Sequence, residues 1–288
     1  MVSCLTPRGY DTITFNPLNG PEILSSRNYD PFCIWLLMLW AVLFSFAVLW
    51  EFGAVESRFI TVKNNCAYTI WPAIYSDPNV GGKVQLDQPT GWEAPAGSGV
   101  TFTVPSNWTT GRIWGRRECN FAGNNQNSSG SCISSGCPGG LECTSPGVPP
   151  TTNAEFSFTT QGDFYDVSMV DGFNLPIQIT NNQKCPVASC PVDLNAACPT
   201  QLKGATTQAG SIASCKSSCL ANLDGKQSDS SNCCTGSSNT PNSCSQAGVQ
   251  FFDYFKGRCP NGYAYPYDDS ALVKCGASNT DYTVTFCP

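Results

Sequence analysis

The sequence predicts a mainly β protein, a sandwich or barrel behind an apolar N-terminal segment. Three features carry that expectation: short runs alternating apolar and polar residues, Gly, Pro, Asn and Ser between them, and 18 cysteines in 288 residues. The length suits one large all-β domain or two small ones, with enough chain to bury a real core.

Taken in order, residues 1–56 form a polar stretch followed by "FCIWLLMLWAVLFSFAVLW" at 32–50, 19 uncharged positions. That is long enough to span a bilayer. The small residues of "EFGAVES" just after it suit a signal-peptidase cut, and Met38 would open an ordinary signal of its own. A cleaved signal and a retained anchor both fit; Arg8 and Arg27 before the segment and Arg58 and Lys63 after it leave orientation open. The rest of the chain is expected outside the cell, at the wall, diffusing or tethered. Contact with a membrane is expected only through 32–50, if that segment stays.

From Arg58 the chain alternates, with Phe59, Thr61 and Lys63 on one side and Ile60, Val62 and Asn64 on the other. Further strands follow at "VTFTVPSNW", "GRIWGR", "AEFSFTT", "FYDVSMV" and "PIQITNN". From about Cys185 the cysteines come at short spacings with apolar periods of three or four. Residues 192–259 therefore read as a Cys-stapled, partly helical lobe, with Cys215 and Cys219 on one face of a short helix. Strand character returns at "DYTVTFCP", whose closing Cys suggests that the two ends of the domain are tied together.

Composition excludes much chemistry. With no His there is no Ser-His-Asp or Cys-His pair, no His-ligated zinc and no imidazole base. No phosphate-cradling Gly-rich loop is present, and no cofactor is called for. The formal net charge of −6 argues against nucleic acid. The basic cluster Arg112, Arg116 and Arg117 reads as structural pairing for nearby acids. Only Cys4 and Cys33 precede or lie in the apolar segment; the 16 that follow suit disulfides in an oxidising compartment, and their irregular spacing does not suit zinc. Two sequons, Asn107-Trp-Thr and Asn127-Ser-Ser, are glycosylation candidates.

One stretch, "DFYDVSMVDGFNLP" at 163–176, reads as a mostly buried strand running into a turn, yet it carries Asp166 and Asp171. A carboxylate taken out of water has to be paired, hydrogen-bonded or turned to a cleft that uses its charge. The two positions differ by an odd number, so an unbroken strand would send them to opposite faces. For both to reach one cleft the chain must bend near Val170, with help from Gly172.

"GRIWGRRECNF", "CPGGLEC", "PPTTNAEFSF", "FYDVSMVDGFNLP", "NCC" and the closing "YTVTFCP" together resemble the thaumatin-like proteins, the group that includes the osmotin-type pathogenesis-related proteins of plants. The resemblance runs from about Arg58 to Pro288. "GWEAPAGSGVTFTVP", "CPVASCPVDLN" and "CKSSCLANLDG" resemble the branch found in basidiomycete fungi more than the plant branch.

The resemblance implies a β-sandwich core (57–116, 151–191 and 260–288), a small disulfide loop domain (117–150), the Cys-rich lobe (192–259) and an acidic cleft between core and lobe. It implies the bridges Cys66–Cys287, Cys119–Cys132, Cys137–Cys143, Cys185–Cys275, Cys190–Cys259, Cys198–Cys215, Cys219–Cys233 and Cys234–Cys244. One departure is that Ser134, Ser135 and Gly136 stand where the family usually has Thr-Gly-Asp.

The family's cleft residues fall on Arg112, Glu155, Asp166, Asp171 and Asp269. Clustered carboxylates raise one another's pKa, which keeps a general acid protonated, and glycoside hydrolysis needs such an acid beside a carboxylate. The expectation is therefore a monomer that binds and hydrolyses β-1,3-glucan or another wall polysaccharide, in wall remodelling or antifungal defence. Glu155 is expected as general acid and Asp171 as base or nucleophile, with Asp166 and Asp269 setting the field and binding sugar hydroxyls. Phe173, Tyr165, Tyr263, Tyr265 and Tyr267 flank the acids as candidate sugar platforms, Phe173 reading better as core. The alternatives are a non-catalytic glucan binder and a membrane-active antifungal protein; the latter draws little support from 16 acids against 13 bases after residue 56.

Overall fold

Period-two alternation decides the frame. A computed structural model describes residues 57–80, 84, 86–123, 127–276 and 279–288, together with four short strands upstream. Residues Met1–Ala54 and Val55–Pro288 are separate units. In the first, β1 (Val2–Thr6) pairs antiparallel with β2 (Gly9–Ile13), and β3 (Phe15–Asn16) with β4 (Gly20–Pro21). The apolar stretch 32–50 lies outside the described residues.

The second unit holds two sheets. One runs β14 (Val273–Cys275), β11 (Gly162–Ser168), β10 (Asn153–Thr159), β8 (Gly111–Cys119) and β6 (Trp71–Ser76), with β9 (Cys132–Ser134) also on β8. The other runs β13 (Ala188–Cys190), β12 (Ile177–Asn181), β15 (Tyr282–Phe286), β5 (Ser57–Asn64) and β7 (Gly99–Pro105). Between them lie Ile60, Val62, Phe102, Val104, Ile113, Phe156, Phe158, Val167, Val284 and Phe286, all buried. Tyr282 is the hub of the aromatic cluster, with ring centroids 5.1 Å from Tyr165, 5.5 Å from Phe158 and 5.6 Å from Phe156.

β15 pairs in parallel with β5, the first strand of this unit, and Cys66–Cys287 ties the two together. The other bridges are Cys119–Cys132, Cys137–Cys143, Cys185–Cys275, Cys190–Cys259, Cys198–Cys215, Cys219–Cys233 and Cys234–Cys244.

Two expectations need correction. The stretch 192–259 carries little helix: turns and single 3-10 turns fill it, and Phe252–Lys256 is its one α-helix among the described residues. Cys215 and Cys219 do not share a helix. Cys215 is extended, exchanging two 2.7 Å backbone hydrogen bonds with Phe173, and Cys219 sits in a turn. The short Cys spacing reflects disulfide loops, which impose no helical period.

The arginine cluster also divides. Arg112 pairs with acids, but Arg116 is buried and donates to the carbonyls of Trp71 (2.9 Å), Gly140 (2.6 Å) and Leu141 (2.8 Å). Burial pulls its guanidinium down to about 10. Arg117 lies over the Tyr68 ring, 5.1 Å from its centroid. Asn107 and Asn127 are both exposed, Asn107 in the turn just before fully buried Trp108.

An ion pair crosses the core. Arg58 of β5 meets Asp163 of β11 at 3.0 Å, and the Tyr282 hydroxyl donates to the other Asp163 oxygen at 2.9 Å. Burial pushes the Asp163 carboxyl up, against the pull of Tyr282 and Arg58. Removing one partner of a buried pair strands the other's charge, which typically costs about 3–5 kcal/mol. Asp163→Asn is expected to destabilise on that scale in urea unfolding with the disulfides intact. Tyr282→Phe, which loses one hydrogen bond, should lose about 1–3 kcal/mol.

Candidate functional site

The register of the six-stranded sheet brings the acids together. Glu155 of β10 stands opposite Asp166 of β11 on one side and Arg112 of β8 on the other, and Arg112 stands opposite Tyr75 of β6. Tyr75, Arg112, Glu155 and Asp166 thus form one rung across four strands. The alternation that turns Ala154, Phe156, Tyr165 and Val167 into the core turns this rung outward. At the next rung Trp114, Asn153 and Ser168 are buried, Trp114 against Cys137 and Cys143.

Asp171 joins the rung by a turn. After Ser168 the chain folds back, with the Gly172 amide donating to the Met169 carbonyl at 2.8 Å. Gly172 has φ +91°, and a Cβ there would lie 2.8 Å from the Cys215 carbonyl oxygen, so the turn requires glycine. The expected bend is present, and both aspartates reach the same arginine-centred cluster. Arg112 Nε lies 2.7 Å from Glu155 Oε1, and its Nη1 lies 3.6 Å from Asp171 Oδ2, which also accepts from Asn153 Nδ2 at 3.2 Å. Between Arg112 and the two aspartates, it is Asp171 that forms the ion pair.

Asp166 is held differently. Its Oδ1 is buried without a hydrogen-bond partner among the described residues. Burial, then the facing charge of Glu155, push its carboxyl up to about 8, against the pull of Arg112. Glu155 is also raised, by burial and by Asp171, while Arg112 opposes the shift. Like charges directly opposite on adjacent strands repel, so the two carboxyls titrate together and both are driven towards the protonated form.

Asp269 is exposed at the start of a 3-10 turn, and no hydrogen bond or ion pair joins it to the rung among the described residues. Its neighbour Asp268, not singled out in the sequence, is the buried one: it pairs with Lys256 at 2.7 Å and accepts from Ala264 N at 3.0 Å. Nothing in "YPYDDS" distinguishes the two. Tyr263 is pinned beside the end of β11 by backbone bonds to Val167 (2.8 Å) and Met169 (2.9 Å). Burial, then Asp166, Asp269, Asp268 and Glu155, raise its hydroxyl, which sets it among these acids. Tyr165 and Phe173 are buried and serve as core; Tyr265 packs edge-on against Phe252, and the Tyr267 hydroxyl donates to the Asn239 carbonyl at 2.6 Å. Ser135, in the altered triplet, is buried; its carbonyl accepts from Trp114 Nε1 at 2.9 Å, on the covered side of the sheet.

A disulfide-braced pair of sheets with an arginine-centred carboxylate cluster on one outer face defines the class. The sequence profile of the Thaumatin family matches residues 64–288, and the chain belongs to that family. Pathogenesis-related thaumatin-like protein 3.5 of Cryptomeria japonica is 39% identical over 232 residues, 79% of this chain and 89% of that protein. Thaumatin-like protein 1 of Pyrus pyrifolia is 37% identical over 246 residues, 83% and 94% of the two chains. A Prunus avium protein named glucan endo-1,3-beta-glucosidase is 35% identical over 247 residues, again 83% and 94%.

The raised carboxyl has a stability consequence. A folded-state pKa above the unfolded one favours the protonated form, so the contribution is complete below the ordinary Asp value near 4 and is lost as pH rises towards about 8. Urea midpoints measured across that window should fall with rising pH, and Asp166→Asn should flatten the slope. An unchanged slope in the variant would show that Asp166 ionises without strain.

Proposed function

We propose that this outer face binds β-1,3-glucan and hydrolyses it with a carboxylate pair. The observation that carries the reading is the contrast between two half-buried aspartates: Asp166, whose Oδ1 is buried without a hydrogen-bond partner among the described residues and whose carboxyl is raised, and Asp171, held 3.6 Å from Arg112 Nη1. A raised carboxyl beside a second one held by an arginine is the arrangement that protonates a leaving glycosidic oxygen while the other group activates water or attacks.

The acid role expected of Glu155 passes to Asp166, because Glu155 is gripped by Arg112 at 2.7 Å. Glu155, paired to Arg112, faces Asp166 and helps to raise it. Asp171 keeps the role of base or nucleophile. Asp269 and Tyr263 border the sugar. The Prunus avium relative named for glucanase activity supports the substrate class. The disulfides support folding in an oxidising compartment and hence secretion to a cell wall. Because "GWEAPAGSGVTFTVP", "CPVASCPVDLN" and "CKSSCLANLDG" resemble the basidiomycete branch, we infer a fungal wall under remodelling as the target.

Reducing-sugar release from soluble β-1,3-glucan by the oxidised protein tests this. Asp166→Asn and Asp171→Asn should each lower kcat about 100-fold or more. Glu155→Gln should keep partial activity but move the alkaline limb of the pH profile to lower pH, since loss of the facing charge lowers the Asp166 pKa. A folded parent protein that is retained on insoluble glucan yet releases no sugar would make the face a binding site only.

A further inference from the structure

The rung ends on β6 at Tyr75, and Tyr75 also walls a hollow of about 390 Å³. Its other walls include Val84, Leu86, Pro89, Gln88 and Glu142, a mixture of aliphatic surface and polar ends. The hollow is built on fixed parts. Thr90 Oγ1 donates to the Cys143 carbonyl at 3.0 Å, Cys143 is bridged to Cys137, and buried Arg116 holds the Gly140 and Leu141 carbonyls next to it.

Against that rigid backing, the Tyr75 hydroxyl, the Gln88 amide and the Glu142 carboxylate make no hydrogen bond among the described residues. Glu142 is exposed and Tyr75 and Gln88 are half-buried, so all three polar ends are open to a ligand; aliphatic walls with a few available polar groups are the usual make-up of a small-ligand pocket, and the volume is in the usual range. Asp166 and Tyr75 are three strand spacings apart, roughly 14 Å. Tyr75 is thus the wall shared by the end of the rung and the hollow, which a polymer laid along the rung from Asp166 would reach.

We propose that this hollow is a second sugar subsite, which takes a ring of the same β-glucan chain that the acid rung holds. The inference rests on the reading of the rung as a glucan site. The chemistry fits a neutral polyol: the Tyr75 ring and the aliphatic walls meet the C–H face of the sugar, while Gln88 offers both a donor and an acceptor and Glu142 accepts hydroxyl protons. The Glu142 carboxylate disfavours a polyanion.

Calorimetric titration of the full, oxidised chain with β-1,3-linked glucose oligomers tests the subsite. A hexamer is expected to bind about tenfold more tightly than a trimer, the gain from one further stacked and hydrogen-bonded ring. The Gln88→Ala, Glu142→Ala double variant should bind the trimer as the parent does, which reports an intact rung, and should lose the hexamer's gain. A gain that persists in the double variant, or no gain with length in the parent, overturns the subsite and leaves the rung's reading standing. If neither oligomer binds the parent, the glucan reading of the rung falls and the subsite falls with it.

Discussion

The register between β10 and β11 is the constraint on which the site depends. A two-residue turn at Thr160 and Gln161 joins the strands and pairs Thr159 with Gly162, Phe156 with Tyr165, and Glu155 with Asp166. The rings of Phe156, Phe158 and Tyr165 lock that register, because a slip by one residue would turn them to solvent and drive the acids into the core. Hydrophobic packing on one face therefore holds two carboxylates against each other on the opposite face. The repulsion is tolerated because the packing that enforces it is large.

The same strand shows how position decides what an acid does. Asp163 and Asp166 are three residues apart on β11 and so point to opposite faces. Asp163 is sealed between the sheets with Arg58 and Tyr282 and has both oxygens satisfied. Arg58 is less well served, since its Nε and Nη1 lack partners among the described residues and its guanidinium lies 5.5 Å from the Phe158 centroid. Asp166 faces outward but is crowded, and its buried oxygen is left unsatisfied. One acid stitches two sheets together, and the other is raised by burial and by the carboxylate it faces.

Much of the fold is visible in the sequence because β5, β8, β10, β11 and β15 are long enough to display alternation. β9, β13 and β14 have three residues each, too few to show a period. Their places are set by the partners that recruit them. The lobe misleads for a different reason: cysteines recur every few residues there because small loops are being closed, and such spacing imitates a helix. Of the site, the residue types at 112, 155, 166, 171 and 269 were identifiable through the family resemblance, and the bend at Gly172 through parity. How the carboxyls face one another was not, because that depends on cross-strand pairing and on burial of a single oxygen. Nor could Asp268 be told from Asp269, or Tyr75 be connected to Arg112, without knowing that β6 borders β8.

The sheet order β13-β12-β15-β5-β7 has a consequence for synthesis. β15 is not an edge strand; it fills the slot between β12 and β5, although it is made more than two hundred residues after β5. Until Phe286 has left the ribosome, β5 and β12 each present an open row of backbone donors and acceptors, and the Tyr282 ring is missing from the aromatic cluster. A nascent chain in this condition offers two adhesive strand edges to its neighbours. Everything from β5 to β15 therefore has to be made before this sheet can close, and β15 acts as a keystone whose arrival turns a vulnerable intermediate into a sealed sandwich.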